Sequence, residues 1–129
     1  MKDMPERYRL RLDALADCVA RRAEDVQYLD DFSYSGQSGS TVMSYLKKAI
    51  EARTAGSRAL RYAPVKTAEW AARCGSSGNH LYVVRGSAVG TSPMYIRAHR
   101  SKGPYCGMNG LVLDVYAPET VDALMGKGR

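Results

Sequence analysis

The sequence predicts an α+β fold, with three N-terminal helices and a short C-terminal helix packed on one face of a three-stranded antiparallel sheet. Three observations predict it. Residues 80–86, 94–100 and 111–116 are short runs rich in Val, Ile, Leu and Tyr, bounded by Gly, Pro, Ser or Asn, as strands are. The stretches between them, 86–93 and 101–110, are too short to hold crossover helices, so successive strands are expected to pair as hairpins. Alternation then sorts the side chains, because successive residues of a strand point to opposite faces. Met94, Ile96 and Ala98 share one face with Leu111, Leu113 and Val115 as core. Tyr95, Arg97 and His99 share the other with Val112, Asp114 and Tyr116, expected to be wet and basic, and hence helices on one side only.

The helices follow from spacing and breakers. Residues 4–29 predict one long amphipathic helix, since Leu12, Leu15, Val19, Val26 and Leu29 recur in steps of three and four, interrupted by Arg22. Pro5 fits in its first turn, where the missing N–H is not needed. Residues 30–39 are dense in Asp, Ser and Gly and predict a loop. A second helix over 41–53 buries Val42, Tyr45, Leu46, Ala49 and Ile50, with Ser38, Ser40 or Thr41 as its cap. Gly36, Ser38 and Gly39 before that helix suggest a phosphate-binding loop only faintly, because the lysine of a Walker motif is absent. Residues 54–64 predict a loop or short helical turn that places Arg58 and Arg61 around Tyr62, with Lys66 just beyond. A third helix over 65–74 carries Trp70, the sole tryptophan, as a core anchor, and ends at Gly75. The last helix, 119–125, starts behind Pro118 with acids in its first turn, where the helix dipole favours them. Residues 126–129 are expected to fray.

The totals suit one domain, 1–129, with a helical part over 1–75 and a sheet-plus-helix part over 76–129. No stretch approaches the roughly 20 apolar residues that cross a bilayer, and the charged N-terminus lacks the apolar run of a signal peptide. No membrane role and a cytoplasmic location are therefore expected. Cys18, Cys74 and Cys106 are an odd number at unrelated spacings, which suits reduced thiols. The net charge of +6 is unevenly spread. Residues 47–106 hold 11 of the 19 Lys and Arg and two of the 13 acids, a net of +9 that leaves −3 elsewhere. Such segregation favours an anionic partner.

Chemistry-bearing motifs are sparse. Cys74, His80, His99 and Cys106 are zinc-type ligands, but five, eighteen and six intervening residues match no standard spacing, so no metal or cofactor is expected. Cys106 or a serine with His80 or His99 and Asp114 supplies the residue types of nucleophilic catalysis without an elbow or paired-carboxylate motif, so a non-catalytic protein is expected. The element order over 65–125 is similar to that of double-stranded-RNA-binding domains. The final helix, however, opens Pro118-Glu119-Thr120-Val121-Asp122 where those domains present lysines, and no family is implied.

The best-supported feature is the interleaving of cations and tyrosines. Arg58, Arg61, Lys66, Tyr95, Arg97, Arg100, Lys102 and Tyr105 form the candidate nucleic-acid surface, in which cations meet phosphates and rings meet bases. The expected function is non-catalytic nucleic-acid binding with little sequence specificity. The rival is a protein-binding inhibitor or adaptor, a role filled by small basic proteins of phages and mobile elements, whose basic face docks on an acidic protein surface.

Overall fold

A computed structural model describes residues 3–54, 60–74, 78–85, 92–101 and 110–127. Helix α1 spans Glu6–Arg21, strand β1 Asp25–Leu29, helix α2 Gly39–Arg53 and strand β2 Leu60–Tyr62. Helix α3 follows over Pro64–Cys74, then strands β3 (Asn79–Val84), β4 (Met94–Ser101) and β5 (Gly110–Tyr116), and helix α4 (Pro118–Lys127). A short 3₁₀ turn, Phe32–Tyr34, links β1 towards α2.

The sheet has five strands in the order β1-β5-β4-β3-β2, every pair antiparallel. The central meander of β3, β4 and β5 matches the expected hairpins; the three-strand count does not survive. Its first missing member is β1. The expected helix over 4–29 ends at Arg21 because Arg22 turns into the left-handed region at φ 58°, its N–H returning to the carbonyls of Cys18 and Val19. A non-glycine cap of that kind carries no sequence signal. Beyond it, Asp25 to Leu29 pair with Val115 to Leu111, so Val26 and Leu29 belong to a strand and not to the helical stripe. Tyr8 and Arg11 of α1 fasten the new strand: the Tyr8 hydroxyl donates to the Asp30 carbonyl at 2.6 Å and Arg11 Nη1 to the Tyr28 carbonyl at 2.8 Å. The second missing member is β2, expected as loop, which pairs Leu60, Arg61 and Tyr62 with Val84, Val83 and Tyr82.

Helices also lie on both faces, which corrects the one-sided layering. Helices α1 and α2 cover Leu29, Ile96, Leu113 and Val115 with Leu12, Leu15, Leu46 and Ile50 in the larger core. Helices α3 and α4 set Trp70, Val121 and Met125 against Leu81 in a smaller core on the opposite face, with Tyr95 and Tyr116 at its margin. Leu81 makes this possible. It stands opposite Arg97 in register, so the face expected to be wet contains a fully buried leucine. Burying the four side chains of that small core is worth about 1.5–3 kcal/mol for each large one.

Capping follows the sequence more closely. Ser38 is the N-cap of α2, its Oγ accepting from Thr41 N at 3.1 Å. The backbone N–H of Ala117, just before α4, donates to Glu24 Oε2 at 2.8 Å, which ties the α1–β1 turn to the end of the neighbouring strand β5. Gly110 leaves room for Tyr28 on the neighbouring strand, since a Cβ there would force the outer end of that ring to shift.

Candidate nucleic-acid interface

Strand β2 delivers Arg61 and Tyr62 to the sheet edge, and the chain then turns directly into α3. The Ala63 N–H donates to the Leu81 carbonyl at 2.8 Å, and Pro64 opens the helix with its fixed φ. The turn leaves a groove of about 710 Å³ between the first turn of α3 and the ends of β2, β3 and β4. Val83 and Tyr95 line it; Arg61, Lys66 and Arg85 bring three cations to it, against one acid, Glu69, among the described residues.

The cations differ in availability. Arg61 and Arg85 are exposed, and neither forms an ion pair with any described residue. Lys66 is partly engaged: its Nζ is 3.8 Å from Asp122 Oδ1 and 5.9 Å from the centre of the Tyr95 ring. Asp122 is itself largely exposed, so this pair is weak and screened by salt. Tyr62, 47% exposed, forms one rim of the groove.

Arg97 lies on the same face of the sheet but in a different environment. Its Nε donates to Asn79 Oδ1 at 2.7 Å, Nη1 is 3.5 Å from Asp114 Oδ2, and its guanidinium stands 4.9 Å from the Trp70 ring. His99 Nε2 meets the same Asp114 oxygen at 3.3 Å. The Trp70 ring stacks on Tyr116, centroids 6.4 Å apart and planes 15° apart. Burial raises the Tyr116 phenol above its ordinary pKa, with Asp114 adding to the rise and Arg97 opposing it. Asp114 is 8% exposed, so the charge of Arg97 is matched inside the fold.

Of the eight residues expected to form one surface, the structure brings Arg61, Lys66 and Tyr95 to the groove. Arg97 sits in the internal cluster. Arg100 lies on the other face, its Nη2 donating to Ser33 Oγ at 3.0 Å and its guanidinium 4.9 Å from the Phe32 ring. Arg58, Lys102 and Tyr105 lie outside the described residues. Two groove residues went unselected. Arg85 directly follows β3, and in the sequence its cation is only one more charge. Tyr62 stands among the arginines in the sequence, but the breakers around it give no sign of its place on an edge strand.

The other constellations separate. His80 is opposite Ala98 and faces α2, whereas His99 faces Asp114, so the sheet divides the two histidines. Cys106 lies outside the described residues, and among those described no group of three or more His, Cys, Asp or Glu side chains is placed to hold a metal ion. No helix is long and apolar enough to cross a membrane among the described residues. Comparison with protein-family models, with curated proteins and with solved structures finds no match to this chain.

Proposed function

We propose that this chain binds nucleic acid without catalysis, through the groove where Arg61, Lys66 and Arg85 meet Tyr62 and Tyr95, contacting phosphates with little sequence specificity. One observation carries the reading: three cations converge on a concave, aromatic-rimmed groove holding one carboxylate, and two of them are unpaired there. Cations in that state neutralise phosphates and release condensed counterions, which gives affinity without base readout. Hydrogen-bonding groups arranged to read base edges are not what supports the reading; charge and ring surface are.

The test is fluorescence anisotropy with labelled DNA and RNA at about 50 and 200 mM salt. Three phosphate contacts, at a slope of about 0.7–0.9 each, give a fall in affinity of roughly 20–40-fold between those concentrations. Reversing Arg61→Glu and Arg85→Glu together lowers affinity for all sequences alike and flattens the salt slope by about 1.5. Unchanged affinity in that double variant removes the groove from the function. Absence of binding by every probe at low salt turns the groove towards an acidic protein surface, and capture of a nuclease-resistant partner then becomes the informative result.

A further inference from the structure

The groove does not end at the sheet edge. Tyr62 also lines a second hollow of about 250 Å³ on the α2 side, where Lys47 is the cation. That hollow shares Ser40, Met43 and Tyr82 with a third, of about 440 Å³, bounded by His80 and Arg100. The three hollows thus follow one another around the β2 edge of the sheet, the first and second sharing Tyr62 and the second and third sharing Tyr82. Among the described residues no Asp or Glu lines the second or the third.

The rings along this path touch one another. Tyr62 packs edge-on against Tyr82, centroids 5.5 Å apart, and lies 6.0 Å from the His80 ring. Tyr62 and His80 are exposed, so ring surface is presented along the path with cations on either side of it.

Resting on the nucleic-acid reading of the groove, we infer that the occupant is a single strand, which passes from the Arg61–Arg85 groove over Tyr62 to the His80–Arg100 hollow on the opposite face. The geometry excludes a duplex along this route. From His80 on β3 to Arg85 just past its end is five residue steps, roughly 17 Å at about 3.3 Å per residue. Turning from one face of the sheet to the other within that distance is far below the length over which double-stranded DNA bends, about 50 nm. A single strand turns freely, and its exposed bases stack on tyrosine and histidine rings regardless of sequence. The path supplies both needs, rings at its crest and cations at its two ends and its middle.

The experiment measures anisotropy with single-stranded DNA and RNA of about 12 nucleotides, and with the corresponding duplexes, at one low salt concentration. Single strands are expected to bind at least tenfold more tightly than duplexes. Tyr62→Leu is expected to weaken single-strand binding about tenfold, and Lys47→Glu together with Arg100→Met, which lie outside the first groove, to weaken it by a comparable factor while leaving duplex affinity unchanged. Tyr62 and Lys47 are exposed, and circular dichroism with a melting curve verifies that these variants keep the fold. Equal affinity for strand and duplex overturns the inference. So does unchanged single-strand affinity in Tyr62→Leu and Lys47→Glu while Arg61→Glu with Arg85→Glu still abolishes binding; that pattern leaves the groove standing and removes the path. Binding by no probe overturns both.

Discussion

Arg61 and Arg97 project from the same face of one sheet, yet one is open to an anion and the other is spent on the fold. Arg61 stands on the edge strand β2 opposite Val83, with no strand beyond it. Arg97 stands on the central strand β4 between Leu81 and Asp114, beneath Trp70. The side chain is the same in both places. A cross-strand carboxylate and a covering helix decide whether its charge is available, so in this sheet availability grows from centre to edge.

If the contrast is right, the two regions respond to mutation in opposite ways. The largest expected effect is Trp70→Ala, which empties the centre of the small core and removes the surface on which Arg97 and Tyr116 lie. A loss of about 3–5 kcal/mol of stability is expected from chemical denaturation. Trp70→Phe is the control. The indole N–H finds no partner among the described residues, so a ring that fills most of the same space without it costs less than about 1.5 kcal/mol. A large loss in the phenylalanine variant breaks the assignment of Trp70 as a packing anchor.

Next comes Asp114→Ala, which leaves Arg97 without its carboxylate under a helix. About 2–3 kcal/mol of stability should go, because a partly buried guanidinium then lacks a counter-charge. Arg61→Ala, by contrast, changes stability by no more than about 0.5 kcal/mol and acts on binding alone. Equal costs at the two sites erase the distinction between them.

The same contrast explains how far the sequence could be read. Alternation along β4 sorted Met94, Ile96 and Ala98 from Tyr95, Arg97 and His99, and the register agrees residue by residue. Strand propensity and Gly-rich breakers located the β3–β5 meander because those signals are local. What covers a face is not local. Leu81 and Trp70, 11 positions apart, make the supposedly wet side a core only once α3 folds back over β3, anchored by Thr67 Oγ1 accepting from Leu81 N at 2.9 Å. Strand β1 is hidden in the sequence for a different reason. Val26 and Leu29 fit both a helical stripe and an alternating strand, and a left-handed arginine decided between them. Within the candidate site, Arg61, Lys66 and Tyr95 were legible as basic and aromatic residue types. Their convergence with Arg85 depends on the direct turn from β2 into α3.

Lys66 lies between the two extremes and sharpens the comparison. Its ammonium divides itself between the groove and Asp122, at 3.8 Å. Asp122→Asn removes the competitor and is expected to raise nucleic-acid affinity about threefold, whereas Lys66→Met lowers it by a similar factor. Titrations of both variants at low salt check the sign. A weaker complex in Asp122→Asn shows that the carboxylate positions Lys66 instead of competing for it.

The smallest effect belongs to an arginine that is paired but not covered. Arg11 Nη1 holds Asp30 Oδ1 at 2.6 Å, with Arg7 Nε at 3.4 Å, and both partners of the shorter pair remain more than a third exposed. The Arg11 hydrogen bond is the main reason that the Asp30 carboxyl lies below its ordinary pKa, against the opposing effect of desolvation. A depressed carboxylate stabilises the fold when it is ionised. The contribution is therefore present above the ordinary carboxylate range, about 4, and is lost as pH falls through the lower value of the folded state. Solvent screening keeps it to about 0.2–1 kcal/mol. Denaturation of wild type and Arg11→Met across that range is expected to show a small gap at neutral pH that closes in acid. A gap that persists unchanged in acid instead means that Arg11 holds β1 mainly through the Tyr28 carbonyl, at 2.8 Å, a bond that does not titrate, and that burial by neighbours is not needed for an arginine here to be structural.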